Sequence, residues 1–385
     1  MRPTIMYVAD LHLDNRNPDV TGDDGKYLRQ SEAERMSDAI VAVAENTLPD
    51  MVVLAGDLAH MKNPRPWAYV LIGSLVERLR QVQSRPLVVG FRGNHDGSDI
   101  IARREFGESA GLDAYPREPQ VIELKGERVL LLPWFGRANL AAKAGHTMNV
   151  AEQHAYMRDA IERVIALNSP TVVVTHFTIA GAHYSSEAQP LLGEAGEFML
   201  SHSLFRSATE LRYVVSGHIH EPQMLGGDPP MYYPGSTIVN DFGEHHAPSV
   251  LVDDGSDVYF VDLDYENLRF VTLSPEVDDE GVVTGFAPES ASGAVVRIKT
   301  TVPSGPAGTH AVGRMLIELQ EQHPLYIARS VLATRRHDAR VAHTMTTEQT
   351  PGEALAAYFA LVGGEFEERA ARLTSLHHEI EEAVR

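Results

Sequence analysis

The amino-acid sequence predicts an α/β protein: a two-sheet sandwich flanked by helices, then a small α+β module and a C-terminal helical segment. Three observations lead to this fold class. Short apolar runs alternate with amphipathic segments over residues 1–265, the pattern of a layered α/β fold. Beyond residue 222 short β runs follow one another closely, which indicates a second sheet packed beside the first. Strand-like and helix-like patterns then restart after an acidic stretch at 275–285.

The first strands are short apolar runs bounded by Gly, Pro, Asn or Asp, as expected of strands buried on both faces. They occupy residues 4–9, 51–55, 87–91, 129–132, 171–175 and 213–216. Segments between them place apolar residues three and four positions apart and therefore predict helices. These segments are 31–47, 66–82, 151–167 and 197–209. The β runs assigned to the second sheet are 231–233, 249–252, 258–263 and 269–273.

The remainder of the chain predicts two smaller parts. Strand-like, helix-like and strand-like segments follow in order at 294–299, 309–322 and 326–334, which predicts the α+β module. Two helix-like segments, 354–361 and 365–384, come last, and the second carries a narrow apolar stripe. We therefore divide the chain into three predicted domains, which span residues 1–265, 266–342 and 343–385.

Composition narrows the class of protein. Hydrophobic residues make up 43% and charged residues 22% of the 385, which excludes collagen-like and wholly disordered chains. The sequence has no apolar run of ~18 residues, and its first residues lead directly into a strand, so we expect a cytoplasmic protein that does not bind membranes. A formal net charge of −20 argues against a broadly basic surface for nucleic acid.

The absence of Cys excludes thiolate metal sites and cysteine nucleophiles, so a metal ion would need His, Asp, Glu or Asn ligands. Such residues follow five of the predicted strands directly. They are Asp10 and His12; Asp57 and His60; Asn94, His95 and Asp96; His176; and His218 and His220. Because α/β folds usually place their sites at the carboxyl ends of strands, we expect these side chains to converge on one edge.

The spacing within these segments supports a shared pocket. In extended chain, residues i and i+2 face the same way, so Asp10 with His12, and His218 with His220, can each present two side chains together. Each motif alone is weak evidence, because Asp and Asn after a strand often cap an ordinary turn. Together, their oxygen and nitrogen atoms suit a pair of divalent ions that share one carboxylate.

These five motifs resemble those of the calcineurin-like metallophosphoesterase superfamily, over most of residues 4–265. Further segments resemble its DNA-repair branch, the nuclease subunits of the SbcC–SbcD type. These segments are Leu132-Pro133-Trp134, 175–181, 217–223, 233–237 and 241–244. The resemblance implies a phosphoester hydrolase that works through two metal ions and a water made acidic between them.

The resemblance also implies roles for single residues. One ion would be held by Asp10, His12 and His220, the other by Asn94, His176 and His218, with Asp57 bridging both. It implies Mn²⁺, with Mg²⁺, Fe²⁺ or Zn²⁺ as alternatives. His95 would supply a proton to the leaving sugar oxygen, and we expect Asp96 to orient His95 from behind. His60 would position the DNA backbone, unless it is a surface histidine at a helix start.

Three functions remain open. The first is a manganese-dependent DNA exonuclease and endonuclease of an SbcCD-like repair and recombination complex, a homodimer with an SbcC-like ATPase partner. In this function, residues 266–342 would cover DNA and 343–385 would grip the partner. The second is a phosphodiesterase or phosphatase for nucleotides or other small phosphoesters. The third, a non-enzymatic scaffold, is disfavoured by the complete set of ligand residues. Helix 66–82 would form the dimer contact or pack on its own sheet.

Overall fold

The computed structural model describes residues 2–97, 111–135, 148–184, 198–328 and 331–334. The predicted helices of residues 343–385 lie outside the described residues. The chain divides into two compact units. The first takes in Met1–Thr272 and the short segments Gly293–Val296 and Pro324–Ala328, whereas Leu273–Ser292 and Arg297–His323 belong to the second. The predicted boundaries at residues 265 and 342 stay predictions.

The described secondary structure alternates between strands and helices in the first part of the chain. In chain order the elements are β1 (Ile5–Val8), α1 (Leu28–Thr47), β2 (Met51–Ala55), α2 (Pro66–Gln81), β3 (Leu87–Phe91), β4 (Gln120–Leu124), β5 (Glu127–Leu132), α3 (Val150–Asn168), β6 (Val172–Thr175), β7 (Thr178–Ile179), β8 (Met199–Leu200), a 3-10 helix (His202–Phe205), β9 (Tyr213–Ser216), β10 (Gln223–Leu225), β11 (Met231–Tyr233), β12 (Ser249–Asp253) and β13 (Val258–Asp262). Then follow β14 (Phe270–Leu273), β15 (Glu276–Val277), β16 (Val283–Thr284), a 3-10 helix (Pro288–Ala291), β17 (Val295–Val302), α4 (Pro306–Glu321), β18 (Tyr326–Ile327) and β19 (Val331–Thr334).

Two large sheets form the body of the first unit. One has the strand order β13-β12-β1-β2-β3, and the other β10-β11-β9-β6-β5-β4. In the first sheet β1, β2 and β3 run parallel, and in the second β5, β6, β9 and β11 do. The predicted α/β sandwich of two sheets is therefore confirmed.

The four β runs assigned to the second sheet, 231–233, 249–252, 258–263 and 269–273, do not form one sheet together, contrary to the prediction. β10 and β11 extend the sheet of β9, whereas β12 pairs antiparallel with β1 and carries β13 with it. The composition of these strands predicted that they are strands but not which edge they join. The pairing depends on contacts between segments far apart in the chain, which a local pattern does not encode.

Alternate residues of the central strands face opposite sides and are buried on both, because the sheets pack on each other and carry helices outside. Tyr7, Val53 and Phe91 face Leu131 and Val174 of the other sheet in one apolar cluster. The intervening residues of β1 and β2 pack instead against apolar residues of α1 and α2. Burial on both faces explains why these strands appear as continuous apolar runs.

The predicted helix at 197–209 is wrong. Within its described residues the chain forms β8, which pairs in parallel with β7, and then a 3-10 helix. Met199 is exposed and Leu200 buried, an alternation that belongs to a strand. Where one strand was predicted at 326–334, the structure has two, β18 and β19. The partly exposed edge strand β4 was not predicted.

In the second unit, α4 begins with Pro306 at its first turn and buries Gly308, Ala311, Met315 and Leu319 at helical spacing. β15 and β16 form an antiparallel pair, and Arg314 donates to the carbonyl oxygen of Gly281 over 2.6 Å. β17 pairs in parallel with β19 from Lys299 onward. This unit therefore mixes α and β elements, as predicted. Among the described residues, no helix is long and apolar enough to cross a bilayer.

Candidate metal centre

The structure brings the predicted ligand residues together at one edge of the first unit. Asp10 follows β1, Asp57 follows β2 and Asn94 follows β3, all from one sheet. His176 follows β6, and His218 and His220 follow β9, from the other sheet. The carboxyl ends of both sets of parallel strands thus meet at the same edge of the sandwich, as the order of the motifs predicted.

One cluster consists of Asp10, His12 and His220, whose ligand atoms all lie within 4.8 Å of one another. His12 Nε2 is 3.9 Å from Asp10 Oδ1 and 2.9 Å from His220 Nε2. Asp10 and His12 are buried, with 0% and 1% of their surface exposed. Three potential ligands therefore face one another, and two of them lie where little water reaches them.

The second cluster, formed by Asp57, His176 and His218, is equally tight. His176 Nε2 lies 3.2 Å from Asp57 Oδ2 and 3.1 Å from Asn94 Oδ1, and His218 Nδ1 lies 2.8 Å from the same Asn94 oxygen. Asp57 Oδ2 is also 3.7 Å from His12 Nε2 of the first cluster. Asp57 therefore stands between the two clusters, where a shared ligand would have to be.

The backbone at these strand ends adopts conformations that are rare for residues with side chains. Asp10, His12, Asp57 and His218 have φ values of 54°, 41°, 49° and 90°. A left-handed backbone costs energy at non-glycine residues, and such positions concentrate at functional sites. Here the turn directs each side chain inward immediately after its strand.

Small residues make room for the His176 ring. A Cβ at Gly217 would lie 2.6 Å from His176 Nδ1, and a Cβ at Gly93 would lie 2.7 Å from His176 Nε2. Real Cβ atoms do not approach other atoms this closely, so both positions require glycine. His176 Nδ1 in turn donates to the carbonyl oxygen of Ala55 over 2.8 Å, which directs Nε2 toward Asp57 and Asn94.

Nearby carboxylates stabilise the charged form of two of these imidazoles, whereas burial lowers the pKa of His12. Burial opposes protonation of His176, but the adjacent Asp57 carboxylate outweighs it and raises the pKa of His176 to about 9. His220 behaves alike: burial opposes its charge, but Glu244 raises its pKa to about 9. Burial of Asp57 is likewise outweighed, chiefly by His176, so that its pKa is lowered. The carboxylates thus stabilise positive charge next to them, and the carboxylate, amide and imidazole atoms of the group are ligand types that fit divalent ions.

His95 lies beside these clusters, and its orientation is fixed by main-chain groups. Its N–H donates to Asp57 Oδ1 over 2.8 Å, and its ring Nδ1 donates to the carbonyl oxygen of His60 over 2.9 Å. The His60 and His95 rings stack with centroids 5.0 Å apart. His60 is half-buried and precedes α2, so it is not a surface histidine at a helix start.

The structure gives Asp96 a different position from the one predicted. Its carboxylate accepts hydrogen bonds from the main-chain N–H groups of Ala59 and Gly93, at 2.9 and 2.8 Å. These contacts join the loops after β2 and β3, and the group behind the His95 ring is the His60 carbonyl instead. Burial raises the pKa of Asp96 to about 7. Asp96 therefore acts on loop geometry rather than on the His95 ring.

Sequence reasoning assigned no role to Glu244, although the residue belongs to a segment that carried the resemblance. One oxygen of its buried carboxylate contacts His220 Nδ1, and the other accepts from the Asn240 N–H over 2.8 Å. Arg29 from α1 donates to the carbonyl oxygen of Asn240 over 3.1 Å. Apart from that resemblance, the sequence showed only an acidic residue between two predicted strands, which is common in loops.

Comparison with known proteins agrees with this geometry. The family model for calcineurin-like phosphoesterases matches residues 3–222, which include Asp10 through His220. The D subunit of the nuclease SbcCD from Staphylococcus epidermidis is 26% identical over 251 residues, which are 62% of this chain and 62% of that protein. The match therefore spans less than two thirds of the relative's length.

Two similar solved structures are each 12% identical to this chain. The match to the protein TT1561 of Thermus thermophilus has a TM-score of 0.41 and covers 68% of this chain and 100% of that one. A dimetal phosphatase from Danio rerio has a TM-score of 0.39, with the same coverage of both chains.

Proposed function

Because the chain belongs to the calcineurin-like phosphoesterase family and is thus a metal-dependent phosphoesterase, we propose that it is a manganese-dependent DNA exonuclease and endonuclease of an SbcCD-like complex. The observation that supports this most is the strand-end set of Asp, Asn and His side chains, found in a chain similar over 251 residues to the D subunit of a nuclease SbcCD. Such sites hydrolyse phosphoesters without a covalent enzyme intermediate.

The residues present fit two divalent ions. Asp10, His12 and His220 would hold one ion and Asn94, His176 and His218 the other, with Asp57 contacting both. Mn²⁺ is the ion we propose, with Mg²⁺, Fe²⁺ and Zn²⁺ as alternatives. When bound, such ions lower the pKa of water and offset the charge that builds up on the phosphate oxygens.

The chain's own residues supply the remaining chemistry. Because Nδ1 of His95 donates to the His60 carbonyl, Nε2 is the ring atom that can deliver a proton to the leaving oxygen. Asp57 Oδ1 accepts the His95 N–H and so ties this residue to the candidate metal centre. Asp96 keeps the two loops that carry Asp57 and His95 at a fixed distance.

The proposed partners are DNA and an SbcC-like ATPase, which residues 343–385 would contact. With a net charge of −20, the isolated chain should bind DNA weakly, since few phosphates can be neutralised, and added salt should weaken this binding further. The proposed homodimer would use α2. Six residues of α2 are buried, so packing on its own sheet accounts for most of its apolar surface. Val70 remains exposed beside the half-buried Trp67 and Leu71.

One assay tests the proposed function. The purified chain is offered linear duplex DNA, single-stranded circles and bis-p-nitrophenyl phosphate, each with Mn²⁺ and with chelator. Manganese-dependent cleavage of both DNAs is the expected result. Turnover of the chromogenic ester alone would favour a phosphodiesterase for small esters, and a chain that neither binds metal nor turns over any substrate would be a scaffold. Tight DNA binding at moderate salt without a partner would contradict the proposed role of the ATPase.

A further inference from the structure

His60 contacts both neighbouring imidazoles through different groups. Its ring Nδ1 lies 3.1 Å from Nδ1 of His12, and its main-chain carbonyl accepts from Nδ1 of His95 over 2.9 Å. The ligand atoms of these three histidines all lie within 4.8 Å of one another. A residue that served only to touch DNA would have no need of the contact with His12, which is buried beneath it.

The position of one proton on His12 follows from this contact. Two ring nitrogens 3.1 Å apart can share only one hydrogen, so one donates and the other accepts. If Nε2 of His12 faces a cation together with Asp10 and His220, that nitrogen must be unprotonated, and the proton of neutral His12 resides on Nδ1. Nδ1 of His60 is then the acceptor.

Main-chain contacts hold His60 in place independently of its ring. Its N–H donates to the carbonyl oxygen of Leu13 over 2.8 Å, and Leu13 and Ala59 form a parallel bridge. Asp96 fixes the same strand end through the N–H of Ala59. The ring of residue 60 can therefore be changed while its carbonyl, and with it the orientation of His95, is retained.

We propose that His60 is a positioning residue for the metal ligand His12, whose Nδ1–H it accepts, so that Nε2 of His12 is held unprotonated toward the ion shared with Asp10 and His220. This proposal rests on the metal assignment made under the proposed function. Partners that accept the second N–H of a ligating histidine fix its tautomer and ring orientation and raise its basicity. The ring of His60 then acts on ion affinity, before any substrate binds.

Two substitutions at residue 60 separate the effect of the accepting ring nitrogen from the effect of the ring's size. His60→Phe keeps an aromatic ring to stack on His95 but removes the acceptor, whereas His60→Asn offers an amide oxygen near the position of Nδ1. His310→Phe, at an exposed position on α4, is the matched control for the change from His to Phe. All are made in the full chain, with thermal unfolding of the metal-free proteins to verify folding.

Mn²⁺ binding is measured by calorimetry and by the electron paramagnetic resonance signal of a coupled ion pair. For His60→Phe we expect one ion to bind ~10–100-fold more weakly while the other is little changed, and His60→Asn to recover most of the affinity. The Mn²⁺ concentration that gives half-maximal turnover of bis-p-nitrophenyl phosphate should rise by the same factor. Saturating Mn²⁺ should restore turnover of this ester, because the His60 carbonyl still orients His95.

Other results would overturn the proposal in distinguishable ways. If wild-type protein binds no Mn²⁺, the proposed function itself fails. If wild-type protein binds two ions and His60→Phe binds both equally well, losing only DNA cleavage, His60 acts on DNA and not on His12. Equal weakening by His60→Phe and His60→Asn, with lowered melting temperatures in both, would assign the ring to packing alone.

Discussion

Two buried polar groups connect the sheets of the first unit, one at each end of the parallel strands, and they differ in how their charges are balanced. Near the amino ends, the hydroxyl groups of Tyr7 and Tyr213 lie 2.7 Å apart, and Tyr213 donates to Asp253. Arg212 donates to Asp253 over 2.9 Å and to Glu127 over 3.3 Å. Each acidic group there meets a donor from the protein itself.

At the carboxyl ends the balance is different. Asp10 and Asp57 each accept a main-chain N–H there. The imidazole nitrogens, however, face one another or converge on one oxygen: Nε2 of His12 faces Nε2 of His220. Two further imidazoles share the Asn94 side-chain oxygen. Two imidazole nitrogens that face each other cannot both carry a proton, so this cluster keeps lone pairs that a cation could accept, and a bound cation should stabilise it. The amino-end cluster is thus complete within the chain, whereas the carboxyl-end cluster offers ligand atoms to a cation.

Substitutions at the two ends of the parallel strands should differ most in their effect on catalytic turnover. We expect His95→Ala to lower turnover ~10²–10⁴-fold, because a general acid is lost, while both ions still bind. Metal content by elemental analysis and turnover of a phosphodiester substrate measure this. Tyr213→Phe at the opposite end should leave turnover unchanged. Equal turnover of His95→Ala and wild-type protein would contradict the role of His95.

Metal removal should affect only the carboxyl ends. With Mn²⁺ at about 100 times its dissociation constant, each ion should contribute ~2.7 kcal/mol to the free energy of unfolding. Chelation should therefore lower the melting temperature by several degrees, and added Mn²⁺ should restore it. A melting temperature that does not respond to chelator would mean that the buried clusters are balanced without ions.

Tyr213→Phe should weaken the amino-end cluster. Because Asp253 and Tyr7 each lose a buried hydrogen bond, we expect a loss of ~1–3 kcal/mol in the free energy of unfolding. Denaturant unfolding measures the loss, and calorimetry should show unchanged Mn²⁺ affinity. A change in Mn²⁺ binding would mean that the two ends are coupled and that the comparison does not hold.

The smallest expected effect concerns Glu244. Glu244→Gln keeps the shape and an acceptor for His220 but removes the negative charge, so we expect ~10-fold weaker Mn²⁺ binding at one site. Glu221→Gln, exposed and adjacent to His220 in sequence, is the control, and calorimetry is the measurement. If both variants bind Mn²⁺ as the wild-type protein does, Glu244 has no part in holding His220.

The sequence predicted those features of the fold and of the candidate metal centre that depend on residues close together in the chain. Asp10, Asn94 and His218 could be placed at one edge because each follows a recognisable strand. The sheet to which β12 belongs, and the contact of Glu244 with His220, depend on residues distant in sequence, and no short pattern encodes them. The helix predicted at 197–209 failed because β8 and a 3-10 helix also place apolar residues at spacings that resemble a helix.

The close packing of glycine against the candidate metal centre has a consequence for natural variation. A methyl group at Gly93 would lie 2.5 Å from the main-chain nitrogen of Asp57, an atom that no rotamer change can move aside. Replacing this residue with alanine would therefore displace Asp57 without altering any chemical group of the site. A natural variant with alanine at this position would keep every predicted metal ligand and every predicted catalytic residue. It should nevertheless inactivate the protein.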